Sequence, residues 1–131
     1  MGYHVSIDLY DLVIPQEHEH ACLAAINALM TTWYSWIDQP PTPDGYASLV
    51  EACVAWRYEA FTTESGDTEI GAFMGDKWGD DEVLYRAIAP FVTTTGDPTI
   101  TIEGGDGESW RYRFSGGGIL EERGVIQWVP V

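Results

Sequence analysis

The sequence predicts an α+β fold, with an antiparallel sheet of about six strands and about three helices packed mainly on one of its faces. Three observations carry that expectation: apolar and polar residues alternate at the start of the chain, apolar stripes recur at helical spacing in three later segments, and the last third is a series of short alternating runs punctuated by glycine. A chain of 131 residues with 45% hydrophobic and 13% aromatic content can close one core, so a single domain over 1–131 is expected, needing no disulfide or metal staple.

Over 3–14, Tyr3, Val5, Ile7 and Leu9 fall on one side of an extended chain and His4, Ser6, Asp8 and Tyr10 on the other, which is strand periodicity. Pro15 suits a first helical turn and Glu17 and Glu19 complement its dipole. Cys22, Ala25, Ile26, Leu29, Met30 and Trp33 then recur at helical spacing, predicting a helix over about 15–31. The prolines and glycine at 39–45 can sustain neither a helix nor a central strand, so this Pro-rich segment is a loop. Ser48 and Glu51 make a capping box ahead of the stripe Leu49, Ala52, Cys53 and Trp56, giving a short helix over about 47–55.

Two strand-like runs follow, about 56–63 and 69–75, joined by a Gly-Asp turn at 64–68 that suits a hairpin. Asp80 is placed as the N-cap of a third helix whose core face is Val83, Leu84, Ala87, Ile88 and Phe91, with Pro90 in its last turn. The remainder reads as an antiparallel meander of runs at 99–103, 109–115, 119–122 and 125–129. Within it Trp110, Tyr112 and Phe114 alternate with Arg111 and Arg113, so one face is core and the other wet.

The 21 Asp and Glu against 6 Lys and Arg give a formal charge of -15, and no Lys or Arg precedes Arg57. Phosphate backbones and anionic lipid repel such a chain, so neither direct nucleic-acid binding nor membrane association is expected. Basic surfaces attract it over a long range that salt shortens. The opening segment lacks the basic flank and uninterrupted apolar run of a secretion signal, and no stretch approaches the roughly 20 apolar residues of a membrane span. A cytoplasmic protein is the expectation. Cys22 and Cys53 fall on apolar helix faces and read as buried thiols; a disulfide between them is open only if those two helices pack side by side, and the expected compartment disfavours it.

Catalytic signatures are sparse. There is no nucleophile elbow, phosphate-binding glycine loop, Cys-x-x-Cys pair or His-Glu-x-x-His helix. His18 and His20, two residues apart, point to different sides of a helix and cannot chelate one ion unaided. His4 has no converging nucleophile in the sequence, and Asp76, Asp80, Asp81 and Glu82 lack the spacing of a calcium loop. No catalytic residue, metal or cofactor is assigned. Of the six tryptophans, Trp33, Trp56, Trp110 and Trp128 lie on apolar stripes, whereas Trp36 and Trp78 do not and are the candidate exposed anchors for a partner.

Leu49-Val50-Glu51-Ala52 with Ala55-Trp56-Arg57-Tyr58, then Gly79-Asp80-Asp81-Glu82, Ala87-Ile88-Ala89-Pro90-Phe91-Val92, and Gly105-Asp106-Gly107 with Trp110-Arg111-Tyr112-x-Phe114 stand in a telling order. In that order and spacing the chain resembles a family of small acidic proteins of phages, prophages and integrative elements with no established activity. The resemblance covers about 45–129 well and the first 44 residues loosely, with the Pro-rich loop a departure. It implies a mobile-element protein in a host cell, of a kind that often acts by occupying a host or defence protein.

The reading that joins charge and resemblance is a non-enzymatic interaction protein, an inhibitor whose acidic surface meets a basic, nucleic-acid-binding host protein. Its partner-binding residues are expected to be Glu64, Asp67, Glu69, Asp76, Asp80, Asp81 and Glu82, forming one patch where the hairpin meets the third helix, with Trp36 and Trp78 as anchors. Two alternatives stand beside it: a structural or accessory phage protein that self-associates through exposed aromatics, and a metal-assisted hydrolase built on the acidic cluster.

Overall fold

The computed structural model of the chain describes residues 3–131. The first alternating run forms a strand, β1 (Tyr3–Tyr10), but stops short of residue 14. Asp11 takes a left-handed backbone conformation, φ 56°, and the chain turns there into a separate two-residue strand, β2 (Val13–Ile14). Aspartate adopts that conformation more readily than most residues, and here its Oδ2 accepts the backbone N–H of the distant Asp97 at 3.1 Å.

A 3-10 turn at Gln16–His18 opens into α1 (Glu19–Leu29), and beyond the Pro-rich loop comes α2 (Leu49–Ala55). The capping box is present: Ser48 Oγ accepts the Glu51 N–H at 3.1 Å and the Glu51 carboxylate reaches back to the Ala47 N–H at 3.3 Å. The hairpin is β3 (Tyr58–Thr62) and β4 (Thr68–Phe73). It is followed by β5 (Lys77–Trp78), α3 (Asp81–Ile88) with a 3-10 extension at Ala89–Phe91, and the meander β6 (Thr99–Gly104), β7 (Ser109–Ser115) and β8 (Gly118–Arg123).

The α+β class and the antiparallel pairing are as expected, with the strands divided between two sheets. One has the order β5-β1-β6-β7-β8 and the other β2-β4-β3. The break at Asp11 sends β1 and β2 to different sheets. β1 lies between β5 and β6, so the first strand pairs with residues 89 to 99 positions later, while β2 pairs with β4. The inner face of the larger sheet aligns Ile7 with Ile102 and Leu9 with Ile100, and Ile100 in turn with Tyr112. The outer face aligns Asp8, Thr101, Arg111 and Glu122.

All three helices contribute to one core with Leu12, Ile14, Ile26, Leu49, Trp56, Tyr58, Tyr85 and Ile88, each at most 1% exposed. Cys22 and Cys53 belong to it, and burial pushes both thiols up to about 12, well above an ordinary cysteine. Reaction with a thiol reagent in the native state is therefore expected to be far slower than after unfolding. Fast labelling of both would contradict the packing of α1 against α2. No helix among the described residues is long and apolar enough to cross a membrane.

Three core assignments fail for identifiable reasons. α1 ends at Leu29, so Trp33 lies beyond the last turn and is 71% exposed. β8 keeps pairing through Arg123, which consumes the turn residue that a final hairpin needs. The expected strand at 125–129 does not form, and Trp128 is 90% exposed. On α3 the buried side chains are Asp81, Leu84, Tyr85 and Ile88, so the inward face is rotated from the purely apolar one and includes a carboxylate and a phenol.

The Pro-rich loop is pinned at its end by Asn27, whose side chain receives the Tyr46 N–H at 2.8 Å and donates to the Tyr46 carbonyl at 3.3 Å. Gly45 has φ 97° there, and a Cβ on it would collide with the Asn27 amide. Gly45→Ala is expected to destabilise the protein by about 2 kcal/mol, measured by denaturant melts, from backbone strain and displacement of Asn27 together. A neutral substitution would mean that the loop is not anchored.

Candidate partner-binding surface

The acidic run at the start of α3 splits into groups with opposite environments. Asp81 is fully buried. Its Oδ1 accepts from Arg57 Nη2 at 2.8 Å and from the Gly79 N–H at 3.0 Å, and its Oδ2 accepts from the Tyr58 hydroxyl at 2.7 Å. Tyr58 Oη lies 2.5 Å from Tyr85 Oη, which also receives the Trp78 indole N–H at 3.3 Å. Burial raises the Asp81 carboxyl above the usual aspartate value, while Tyr58, Arg57 and Gly79 pull against that rise.

Both terminal nitrogens of Arg57 are engaged, while its buried Nε has no hydrogen-bond partner among the described residues. The residue sits at φ 79°, a strained position for a residue with a Cβ, yet its Nη1 donates to the Lys77 carbonyl at 2.7 Å and its guanidinium lies 5.0 Å from the centre of the Phe73 ring. The first cation in the sequence is thus an internal strut that joins the start of β3, β5 and α3. Asp81, expected in the partner-facing patch, is the other half of that strut. The correction has a simple cause: position one of α3 points inward because the same helix face carries Leu84, Tyr85 and Ile88.

Glu82 is half-buried and also engaged, with Arg86 Nε at 3.4 Å and a hydrogen bond from the Tyr112 hydroxyl. Asp80 occupies the N-cap position without a side-chain cap bond and is exposed, as is Asp76. Asp80, Asp81 and Glu82 therefore do not converge on one point. Among the described residues no group of three His, Cys, Asp or Glu is arranged to hold a metal ion.

Neither Trp36 nor Trp78 projects freely. Trp36 packs edge-on against Tyr34 at 5.4 Å and covers Gly79, where a Cβ would lie 2.8 Å from its ring. With Ser35, Arg57, Gly75, Asp76 and Lys77 it lines a cleft of about 330 Å³. Trp78 is half-buried, its ring 5.8 Å from Trp110 and nearly perpendicular to it.

Glu64, Asp67 and Glu69 sit at the far end of the hairpin. A six-residue strand rises about 3.3 Å per residue, so β4 alone puts roughly 20 Å between its turn and the Asp76–Asp80 loop. The single expected patch is therefore two. Asp67 is partly structural, because Oδ1 accepts the Gln16 N–H at 2.9 Å and Oδ2 accepts from Ser65 Oγ at 3.1 Å. That first bond also ties the 3-10 turn, which carries exposed Glu17, to the hairpin turn, a link that sequence distance conceals.

Four of the six cations are taken up in internal pairs: Arg57 with Asp81, Arg86 with Glu82, Arg111 with Glu122, and Arg113 with Glu122 and Asp97. Three of these cations lie on α3 and β7. The Arg111 and Arg113 guanidiniums lower the Glu122 carboxyl below its usual value. The side built from α1, α2 and the β2-β4-β3 sheet carries no exposed Lys or Arg from its own elements. Comparison with protein-family models, curated proteins and solved structures finds no match.

Proposed function

We propose that this protein is a non-enzymatic interaction protein of phage or mobile-element type, an inhibitor that occupies a basic, nucleic-acid-binding host protein through its acidic surface. The observation that carries the reading is the one-sided distribution of charge. None of the six cations lies on α1, α2 or the β2-β4-β3 sheet, so that side carries carboxylates as its only charged groups at neutral pH. A surface of one sign focuses potential toward an oppositely charged partner and accelerates their encounter. The contacting residues on this reading are Glu17, Glu64 and Glu69 at the hairpin end, with Asp76 and Asp80 at the other.

Capture from a host-cell lysate at low salt tests it, with the Glu64→Lys, Glu69→Lys double variant beside the parent and an Asp8→Lys, Glu103→Lys variant, at exposed positions of β1 and β6, as a control of equal charge change on the larger sheet. The expected result is a basic partner held by the parent and the control and lost by the hairpin variant. Equal capture by all three, or acidic partners only, refutes it.

Self-association, as in a structural or accessory phage protein, is the second reading, and one observation favours it. Val125, Ile126, Trp128 and Val129 are each at least 69% exposed and contribute no charge. Sedimentation of the purified protein separates the two, since a stable oligomer without partner supports the second.

A further inference from the structure

The larger sheet is curled. In a flat sheet β5 and β7 would be about 14 Å apart, three strand spacings, yet the Trp78 ring on β5 lies 5.8 Å from Trp110 and 6.5 Å from Tyr112 on β7. Trp78 and Tyr112 are nearly parallel, at 13°, whereas Trp110 stands at 81° to Trp78. Two half-buried indoles at right angles thus wall a concave cleft of about 270 Å³, with Tyr112 beneath them and Glu108, Glu121 and Arg123 around it. Trp110 is level with Arg123 across β7 and β8, and Tyr112 with Glu121. Glu108, Glu121 and Arg123 are exposed, and among the described residues none of the three is in an ion pair.

We propose that this cleft binds the guanidinium group of an arginine side chain. Indole faces attract cations through their quadrupole, and a planar guanidinium stacks on them while its N–H fork reaches carboxylates at the edge. The volume suits one side chain rather than a cofactor. A quaternary ammonium would satisfy the rings but leave both carboxylates without a donor. Arg123, level with Trp110, is the resident cation that a ligand must work against. The inference rests on the reading of the protein as a binder of a basic partner, which supplies the arginine, and assigns it a specific subsite on the larger sheet.

The test is a titration with N-acetyl-arginine amide, which carries one positive charge and no free termini, followed through the indole N–H resonances of Trp78 and Trp110. A saturable shift of both is expected. It should weaken about fivefold in Glu121→Gln and strengthen by a similar factor in Arg123→Gln, both exposed positions whose substitution leaves the fold intact. Absence of a saturable shift overturns the proposal. So does indifference to Glu121→Gln, or binding of tetramethylammonium as tight as that of the arginine amide. If the hairpin variant loses its partner but arginine amide does not bind, the cleft assignment alone falls. If arginine amide binds with the stated dependence while no basic partner is captured, the cleft stands and the inhibitor reading falls.

Discussion

Asp81→Ala is expected to lower the unfolding free energy by about 3–5 kcal/mol, because it leaves Arg57 charged and largely buried with its partner gone. It also strips the Tyr58 hydroxyl of its acceptor and frees the Gly79 N–H, so the loop before α3 loses its tie to the helix. Asp81→Lys should be worse, placing a second cation against Arg57. Urea melts of the two variants decide the point, and a loss below about 1 kcal/mol for Asp81→Ala would show that the strut is not formed.

The same site sets a pH dependence. The folded carboxyl titrates above 3.8, the ordinary value, so the folded state holds this proton more tightly than the unfolded one. Its contribution is fully present below 3.8 and is lost as pH rises through the folded value. The stability of the parent relative to Asp81→Asn should therefore grow as pH falls from 7. A gap that shrinks would mean that Arg57 and Tyr58 outweigh burial.

The second large effect is at Trp56, whose side chain is 0% exposed in the middle of the core and packs on Tyr34 at 5.2 Å. Trp56→Ala is expected to cost about 3–5 kcal/mol, by lost burial and the cavity left behind. Its buried indole N–H has no acceptor, so Trp56→Phe should cost far less than truncation, since it removes a donor that is already unsatisfied. Trp33→Ala and Trp128→Ala, at positions 71% and 90% exposed, are expected to be within about 0.5 kcal/mol of the parent. Comparable losses at all three would place the terminal segment and the stretch after α1 in the core.

Local signals in the sequence were enough for most elements. The capping box at Ser48 and Glu51, the hairpin turn at Gly66 and the alternation of Trp110, Tyr112 and Phe114 each specify a structure within a few residues, and each has its element. What escaped was long-range. The 3.6-residue pattern of α3 ranks Val83 as core and Asp81 as surface by polarity, because nothing local says that Arg57 and Tyr58 will arrive to neutralise a buried carboxylate. The division of 3–14 into two strands hangs on one backbone angle at Asp11, set by a bond to Asp97 from 86 residues away.

The candidate surface was legible as charge and not as shape. The sequence marks the acidic residues, but strand geometry separates Glu64 and Glu69 from Asp76 and Asp80, and burial withdraws Asp81. The Gln16–Asp67 bond adds Glu17. The Trp78–Trp110 cleft depends on sheet curl, for which a two-residue strand such as β5 leaves no signature in the sequence.

The central functional claim is that the acidic side steers a basic partner. Its most direct test is the association rate of the captured partner, followed by stopped flow as ionic strength rises from about 0.01 to 0.15 M. The account predicts a rate that falls steeply with salt, and a Glu64→Lys, Glu69→Lys variant that associates slowly at low salt while its dissociation rate barely changes. An association rate indifferent both to salt and to the charge reversal would contradict it.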